Sequence, residues 1–336
     1  MPDSRSLSEI VIAGYGLVHP YDQPWGEGSD TPVPLPPKPW QKHPRLRRTS
    51  PIAKYVVSAG LKALGHEDNP EAAAVAAPER LGVILCIQNG CVNFSKRFYG
   101  EVLDTPGFAS PILFPETVFN SPASHLAAIL GRTTINYTFI GDAAAFVQGL
   151  ALATDWLREG TVDGALVIGA EEEDELTTAA YKIFHPDARV TCGAGAVYLR
   201  RQEDAPGAHS VVAGISSSHT FADLAGKEEA ITLLTRELAE LLSLSGLSRD
   251  NIVLVADAPF PALSDRRLSA QQNLGDGLSA AGAWQVVTAC SQLERQEVIL
   301  EKNGEWISQI QDFDAAIVPV IGAAEQAAGV LLLKSR

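Results

Sequence analysis

The segment from Thr134 to Glu159, TINYTFIGDAAAFVQGLALATDWLRE, has the order of a strand, a tight turn and a long helix. Enzymes often hold a nucleophile at such an elbow, because a helix N-terminus lowers the pKa of a thiol and presents backbone N–H groups to an oxyanion. Here alanines fill positions 143–145. Asp142 could serve as an acid, but a carboxylate before a helix also caps the first turn, and we predict this capping role.

The four cysteines offer no obvious replacement nucleophile. They are scattered along the chain, with neither CxxC pairing nor a Cys/His group at zinc spacing: Cys86, Cys91, Cys192 and Cys290. Cys91 follows Gln-Asn-Gly and could lie near a pocket mouth, but no histidine is adjacent in sequence to activate it. We therefore predict buried or incidental thiols.

The run EEEDE at 171–175 could suggest a divalent cation site. Its carboxylates are adjacent rather than alternating as in a ligand loop, so we expect a solvated turn after a strand. The sequence predicts no metal site and no cofactor.

Composition sets limits on the function. The chain has 336 residues, a formal charge of −14 and 46% hydrophobic residues, which suits a globular protein and argues against nucleic-acid binding. No apolar run approaches the roughly 20 residues of a membrane span. The N-terminus lacks a basic start followed by an apolar stretch, so we expect no signal peptide, no membrane association and a cytoplasmic location.

Strands and helices alternate along the chain, which indicates α/β layers. The pattern predicts strands at 9–16, 81–88, 164–172 and 194–201, helices at 51–65 and 143–159, and a loop followed by a helix within 115–131. It then restarts, with strands at 211–218, 251–257, 315–322 and 329–334 and helices at 227–246 and 279–298. We predict two related halves, 1–203 and 209–336, with a Pro-rich excursion at 20–50 in the first.

Six segments, in order, resemble the β-ketoacyl-carrier-protein synthases, the condensing enzymes of the thiolase superfamily. They are FPETVFNSPASHLAAILG (114–131), ALATDWLREGTVDGALVIGAEE (151–172), CGAGAVYLRR (192–201), VLVADAPFPALSD (253–265), GDGLSAAGAWQVVTA (275–289) and VPVIGAAEQAAGVLLLK (318–334). The resemblance implies a thiolase-like α/β fold, in which two similar halves form a layered αβαβα core.

The residues that carry out condensation in that family are absent from the matching positions. The cysteine falls on Ala143, the two histidines on Asp257 and Asp276, and the lysine near Gln271. The gating turn becomes GAAEQ at 322–326, without phenylalanine. No cysteine lies between 92 and 191 and no histidine between 220 and 336, so a small alignment slip restores neither. An alanine cannot form a thioester, and an ionised carboxylate cannot donate a proton.

Family members without the cysteine are chain-length factors, which pair with an active ketosynthase and shape the acyl tunnel. The resemblance therefore implies a non-catalytic subunit of a heterodimer for polyketide or fatty-acid-type synthesis. The predicted interface is the strand Ile135–Ile140, with Tyr137, Phe139 and Phe146 as tunnel or interface residues. The alternative is that these three are ordinary core aromatics.

One group of basic residues could bind a partner protein. Lys42, Arg45, Arg47 and Arg48 could dock an acidic acyl carrier protein, or they could form a solvated segment.

A second hypothesis for the function is an enzyme with altered acyl-thioester chemistry, in which Asp257 and Asp276 act as an acid–base pair. A third is an independent acyl-binding homodimer.

Overall fold

The structure is a computed structural model that describes residues 9–19, 44–131, 134–208, 210–258, 260–264, 266–270, 274–302, 305–310, 313–323 and 325–334. Most of the predicted Pro-rich excursion, together with Lys42 and Gln271, lies outside the described residues. No helix of the described part is long and apolar enough to cross a membrane.

The strands are short, and most are rich in β-branched residues. They are β1 Ile10–Val18, β2 Leu81–Ile87, β3 Thr134–Ile140, β4 Gly164–Glu171, β5 Gly193–Arg201, β6 Ser210–Ile215, β7 His219–Thr220, β8 Ile252–Val255, β9 Arg267–Leu268, β10 Glu297–Lys302, β11 Glu305–Ile310, β12 Ala315–Ile321 and β13 Gln326–Lys334.

The helices begin and end at residues suited to those places. They are α1 Pro51–Ala63, α2 Pro70–Ala76, α3 Val92–Asp104, α4 Ser121–Leu130, α5 Ala145–Arg158, α6 Glu175–Phe184, α7 Leu224–Leu244 and α8 Ser279–Arg295. Asp223 caps α7 by accepting the N–H of Gly226 at 2.8 Å. After α5, Gly160 takes a φ of +71°, a conformation that favours glycine.

The strand order repeats between the two parts of the chain. The sheet runs β3-β2-β4-β5-β1-β6-β13-β12-β8-β9, with β7 beside β13. Strand β2 is parallel to β3 and β4, while β5 is antiparallel to β4 and β1. In the same way β8 is parallel to β9 and β12, while β13 is antiparallel to β12 and β6. The two parts therefore have the same topology.

Helices and strands are arranged in five layers. Helices α1 and α4 cover the outer face of the first set of strands, and α7 covers that of the second. Helices α5 and α8 lie between the two sets, in one buried cluster with side chains from both. This confirms the predicted α/β thiolase-like fold with two similar halves in a layered core. The boundary near 203–209 stays a prediction.

Some elements differ from the sequence prediction. Helices α2, α3 and α6 fall in segments for which no element was predicted. Residues 297–298, predicted as the end of a helix, belong to β10, because Gln296 takes a left-handed conformation that ends α8.

Gly195 provides a test of the tight packing between α8 and the sheet. A Cβ atom at Gly195 would lie 2.8 Å from the Cβ and 3.0 Å from the carbonyl carbon of Ala283. We expect Gly195→Ala to lower the free energy of unfolding by about 1–3 kcal/mol in urea, because the helix must move. Gly207→Ala is the control, since nothing lies within 4 Å of that position, and equal midpoints for the two variants would contradict the packing.

Candidate functional site

A polar cavity of about 210 Å³ lies where the two central helices begin. Its wall is formed mainly by residues at the ends of β2, β3, β8 and β12 and at the starts of α5 and α8. Two aromatic residues of the α6 segment and Lys227 of α7 complete it. The lining residues are Gln88, Asp142, Ala143, Tyr181, His185, Lys227, Asp257, Asp276, Leu278, Ala281, Gln285, Ile321, Gly322 and Ala323. The fold therefore brings the predicted Ala143, Asp257 and Asp276 to one cavity.

Ala143 is held against the start of α8. A Cβ atom at Gly282 would lie only 2.0 Å from the Ala143 carbonyl oxygen, so the two helices meet through a glycine. Only a methyl group points from Ala143, and the residue is almost fully buried. This position therefore supplies neither a nucleophile nor a proton donor.

Asp142 joins the elbow to the last turn of the chain. Its Oδ1 accepts the N–H of Ala144 at 3.2 Å, while Oδ2 accepts the N–H groups of Glu325 at 2.9 Å and Gln326 at 3.3 Å. Helix α5 begins at Ala145, two residues later than predicted. The prediction that Asp142 caps the helix is wrong, because Ala144 is the N-cap residue of α5 and no side chain caps it. The buried Asp142 carboxylate instead binds the turn at 322–326 through Oδ2.

The Asp142 carboxylate leaves space only for glycine at the first residue of the turn at 322–326. A Cβ atom at Gly322 would lie 1.7 Å from Asp142 Oδ2, which leaves no room for any other residue. The turn corresponds to the predicted gating turn, of which residue 324 lies outside the described residues. Gly322 and Ala323 close one side of the cavity without a bulky side chain.

Asp257 lies between two neutral donors. The Ser269 hydroxyl donates to its Oδ1 at 2.8 Å, and the side-chain amide of Gln285 donates to its Oδ2. Gln285 is buried, and its Oε1 has no hydrogen-bond partner within the described part of the chain. The cavity wall thus contains an acceptor that bound water could satisfy.

Asp276 is bound from two different elements. The Tyr181 hydroxyl donates to Oδ2 at 2.7 Å, and the Leu278 N–H donates to Oδ1 at 3.1 Å. Burial, followed by the nearby Asp276 and Asp142 carboxylates, raises the pKa of Tyr181 well above its ordinary value. The Tyr181 ring lies 4.7 Å from that of His185, so both belong to one side of the cavity.

Tyr181, His185, Lys227 and Gln285 were not predicted as site residues. Tyr181 lies on α6 and His185 directly follows it. The sequence analysis did not predict this helix, although Asp174 was a usable signal. Its Oδ1 accepts the N–H groups of Leu176 at 2.8 Å and Thr177 at 3.1 Å, as an N-cap does.

All four cysteines are buried and free, as predicted. Burial raises the pKa of Cys91 beyond that of an ordinary thiol and raises that of Cys192 to about 11. A thiol that resists ionisation is a poor nucleophile. The cysteines therefore do not replace the missing group at Ala143.

The prediction of a solvated turn at 171–175 is wrong for Glu171 and Glu172, because both side chains are buried. Their exposed fractions are 0% and 1%. Glu171 accepts the Gln88 N–H at 3.1 Å and lies 2.9 Å from the Ser279 hydroxyl, and burial raises its pKa to about 8.

The Glu172 carboxylate accepts hydrogen bonds from the first turns of α1 and α3. It accepts the N–H groups of Ile52 at 3.0 Å and Asn93 at 2.8 Å, and the hydroxyl of Ser50 at 2.6 Å. Burial raises its pKa. Among the described residues no group of three or more His, Cys, Asp or Glu side chains could hold a metal ion.

Two of the three predicted tunnel or interface aromatics lie on an open edge. Strand β3 pairs only with β2 within the described part and ends the sheet. Tyr137 is 48% exposed, and its ring centroid lies 5.1 Å from that of the partly buried Phe139. Phe146 instead packs in the central cluster with no exposed surface, so it lines neither an edge nor the cavity.

The predicted basic docking residues lie on the surface where they are described. A short 3-10 turn at Pro44–Leu46 places Arg45 on the outside while Leu46 is buried. Arg47 and Arg48 follow and are also exposed.

The chain is similar to known proteins in part of its sequence and in nearly all of its fold. No sequence-family model matches the chain. The β-ketoacyl-[acyl-carrier-protein] synthase III of Alkalilimnicola ehrlichii is 37% identical over 116 residues, which cover 32% of this chain and 31% of that enzyme. The chain thus spans about a third of the length of this relative.

Solved structures match over nearly the whole chain. A β-ketoacyl synthase from Burkholderia phymatum STM815 has a TM-score of 0.74 at 16% identity, and the ishigamide ketosynthase/chain length factor has 0.77 at 17%. Each match covers 98% of this chain and 100% of the other. A type II PKS ketosynthase, solved with its acyl-carrier protein and bound to the hexaketide, has 0.73 at 13%, with the same coverage. The chain therefore has the thiolase-like fold of the β-ketoacyl synthases.

Glu171 predicts a dependence of stability on pH. Its pKa is about 8 in the folded protein against an ordinary 4.5, so between these values the folded state holds a proton that the unfolded chain releases. The contribution of Glu171 to stability is complete below about pH 4.5, falls as pH rises toward 8 and is level above it. We expect Glu171→Gln to reduce this slope in urea unfolding at pH 5, 6.5 and 8.

The control for that measurement is Glu175→Gln, because Glu175 has a side chain that is 95% exposed in the same acidic run. This variant should keep the slope of the original protein. Equal slopes for Glu171→Gln and the original protein would contradict the assignment.

Proposed function

We propose that this chain is a non-catalytic ketosynthase-like subunit, which pairs with an active ketosynthase and shapes the space for a growing acyl chain. The observation that carries the proposal is the cavity at the start of α5 and α8. Its wall has Ala143, Asp257 and Asp276 at the positions that the family resemblance assigns to the nucleophile and its two histidines. Such a site cannot form an acyl-thioester intermediate through Ala143.

The edge of β3 supports pairing with another chain. An edge strand presents unpaired backbone N–H and C=O groups, which a second strand can bind. This edge also exposes Ile135, Tyr137 and Ile140, of which Ile140 is 61% exposed. Apolar side chains beside an open edge suit burial in an interface rather than contact with water.

Helices α3 and α6 support the same proposal. Neither helix has a fully buried side chain within this chain, although Tyr181 of α6 is partly buried against the cavity. The first residue of α6 lies close to α3, where the Lys96 ammonium is 3.8 Å from the Glu175 carboxylate. The exposed apolar residues of the two helices are Tyr99, Leu103, Leu176, Ile183 and Phe184. A partner subunit of the same fold would cover this surface together with the β3 edge.

The relatives suggest which assembly to expect. One solved neighbour is a ketosynthase/chain length factor, and another is a ketosynthase in complex with its acyl-carrier protein. We propose that an acyl carrier protein reaches this chain through the complex and docks at the exposed Arg45, Arg47 and Arg48. Opposite charge would steer an acidic carrier toward this segment.

Co-expression with a ketosynthase that keeps its cysteine tests the pairing. We expect the two chains to elute together in size-exclusion chromatography, and Tyr137→Asp to abolish the complex by placing a charge in the buried edge. Val75→Asp is the control, since Val75 is 80% exposed on α2, and it should leave the complex intact. A complex that survives Tyr137→Asp with unchanged affinity would contradict the proposed interface.

A second function is favoured by one observation, namely that Asp257 and Asp276 line the same cavity. Two carboxylates that share a site can hold one proton between them and act as acid and base. If the chain hydrolyses or transfers acyl thioesters in this way, Asp276→Asn should lower kcat at least a hundredfold. The proposed non-catalytic role predicts no turnover by the original protein or by this variant.

A further inference from the structure

A second cavity, of about 350 Å³, lies beside the C-terminal half of α8. Its wall comes from β1, the last turn of α1, the β9 segment and α8. The cavity is separated from the polar site by Ser269, which lines the second cavity while its hydroxyl donates to Asp257. Its volume is within the range of about 300–1,000 Å³ that is typical of small-molecule sites.

Part of the wall of this cavity is apolar. Side chains from three elements and the segment after β9 form it: Leu17, Leu268, Ala270, Leu274 and Val287. Leu268, Ala270 and Val287 are themselves buried, which makes them a fixed wall rather than a mobile surface. An apolar wall of this kind favours an alkyl group over water.

The charged groups of the cavity are all of one sign. Lys62 and Arg295 line it, and no acidic side chain does so among the described residues. This is unusual in a chain with 40 acidic and 26 basic residues. The Lys62 ammonium donates to the Leu17 carbonyl at 3.3 Å and lies 3.8 Å from Glu67. Glu294 accepts the Tyr15 hydroxyl from a neighbouring opening. Arg295 is exposed at the end of α8, so its guanidinium can meet a ligand from solvent.

Hydroxyl and amide groups complete the lining. Tyr15, Ser269, Thr288, Ser291 and Gln292 also line the cavity. A lining that combines apolar side chains with two cations and several hydroxyl groups matches a molecule with an alkyl body and an anionic head.

We propose that this cavity binds a small amphipathic anion, namely a medium-length alkyl carboxylate. The alkyl chain packs against Leu268 and Val287, and the carboxylate meets Arg295 and Lys62. The site is distinct from the cavity at Ala143, and its occupation does not depend on pairing with a ketosynthase.

Calorimetric titration of the purified full chain with octanoate, octan-1-ol and octylammonium tests the proposal. We expect octanoate to bind best, octan-1-ol less tightly and octylammonium least, because only the first has charge opposite to that of the cations. Arg295→Gln should weaken octanoate about two- to fivefold, as for a solvent-exposed ion pair. Arg158→Gln is the matched control, because Arg158 ends the other central helix and lines none of the described cavities.

A filling variant tests the location. Thr288→Phe should abolish octanoate binding while leaving the melting temperature within a few degrees. If that variant fails to fold, crosslinking of the original protein with an alkyl-diazirine carboxylate replaces it, and peptides at 15–17 or 287–295 should be labelled. No saturable octanoate binding, equal binding of all three probes, or labelling elsewhere would overturn the proposal.

Discussion

The contact between the two central helices determines most of what this protein can do. Helix α8 reaches the Ala143 carbonyl only because Gly282 has no side chain. Gly169 and Gly195 also allow α8 to lie close to the sheet, where a Cβ atom at either glycine would be 2.8 Å from that of Ala283. This approach brings the starts of α5 and α8 together, with the strand ends around them. The cavity, its three aspartates and the turn at 322–326 all depend on it.

Carboxylates hold this part of the fold together as hydrogen-bond acceptors. Asp142 binds the elbow and the last turn, and Asp276 binds Tyr181 and the start of α8. Glu171 binds the segment after β2, and Glu172 binds the start of α1, both from within the core. Buried carboxylates are costly unless donors surround them, and here backbone N–H groups and neutral side chains provide the donors. The polar network therefore supports a structural role for the cavity.

The fold could be predicted from the sequence because its buried strands and helices carry clear periodicity. The ordered resemblance also located Ala143, Asp257 and Asp276, which the structure brings to one cavity. Helices α3 and α6 are amphipathic but have no fully buried side chains, and α6 was missed because the acidic run at 171–175 was assigned to a solvated turn. Tyr181 and His185 were missed with it. The EEEDE run was misjudged because burial at a strand end depends on donors from distant segments such as Ser50, Gln88 and Ser279.

The most direct test of a non-catalytic paired role is the native mass of the protein, tagged and isolated from its own source, with every companion chain identified. The account predicts a stoichiometric complex with a ketosynthase-like chain that keeps its cysteine. A homodimer or monomer with no such companion would contradict it, and attention would pass to chemistry at Asp257 and Asp276.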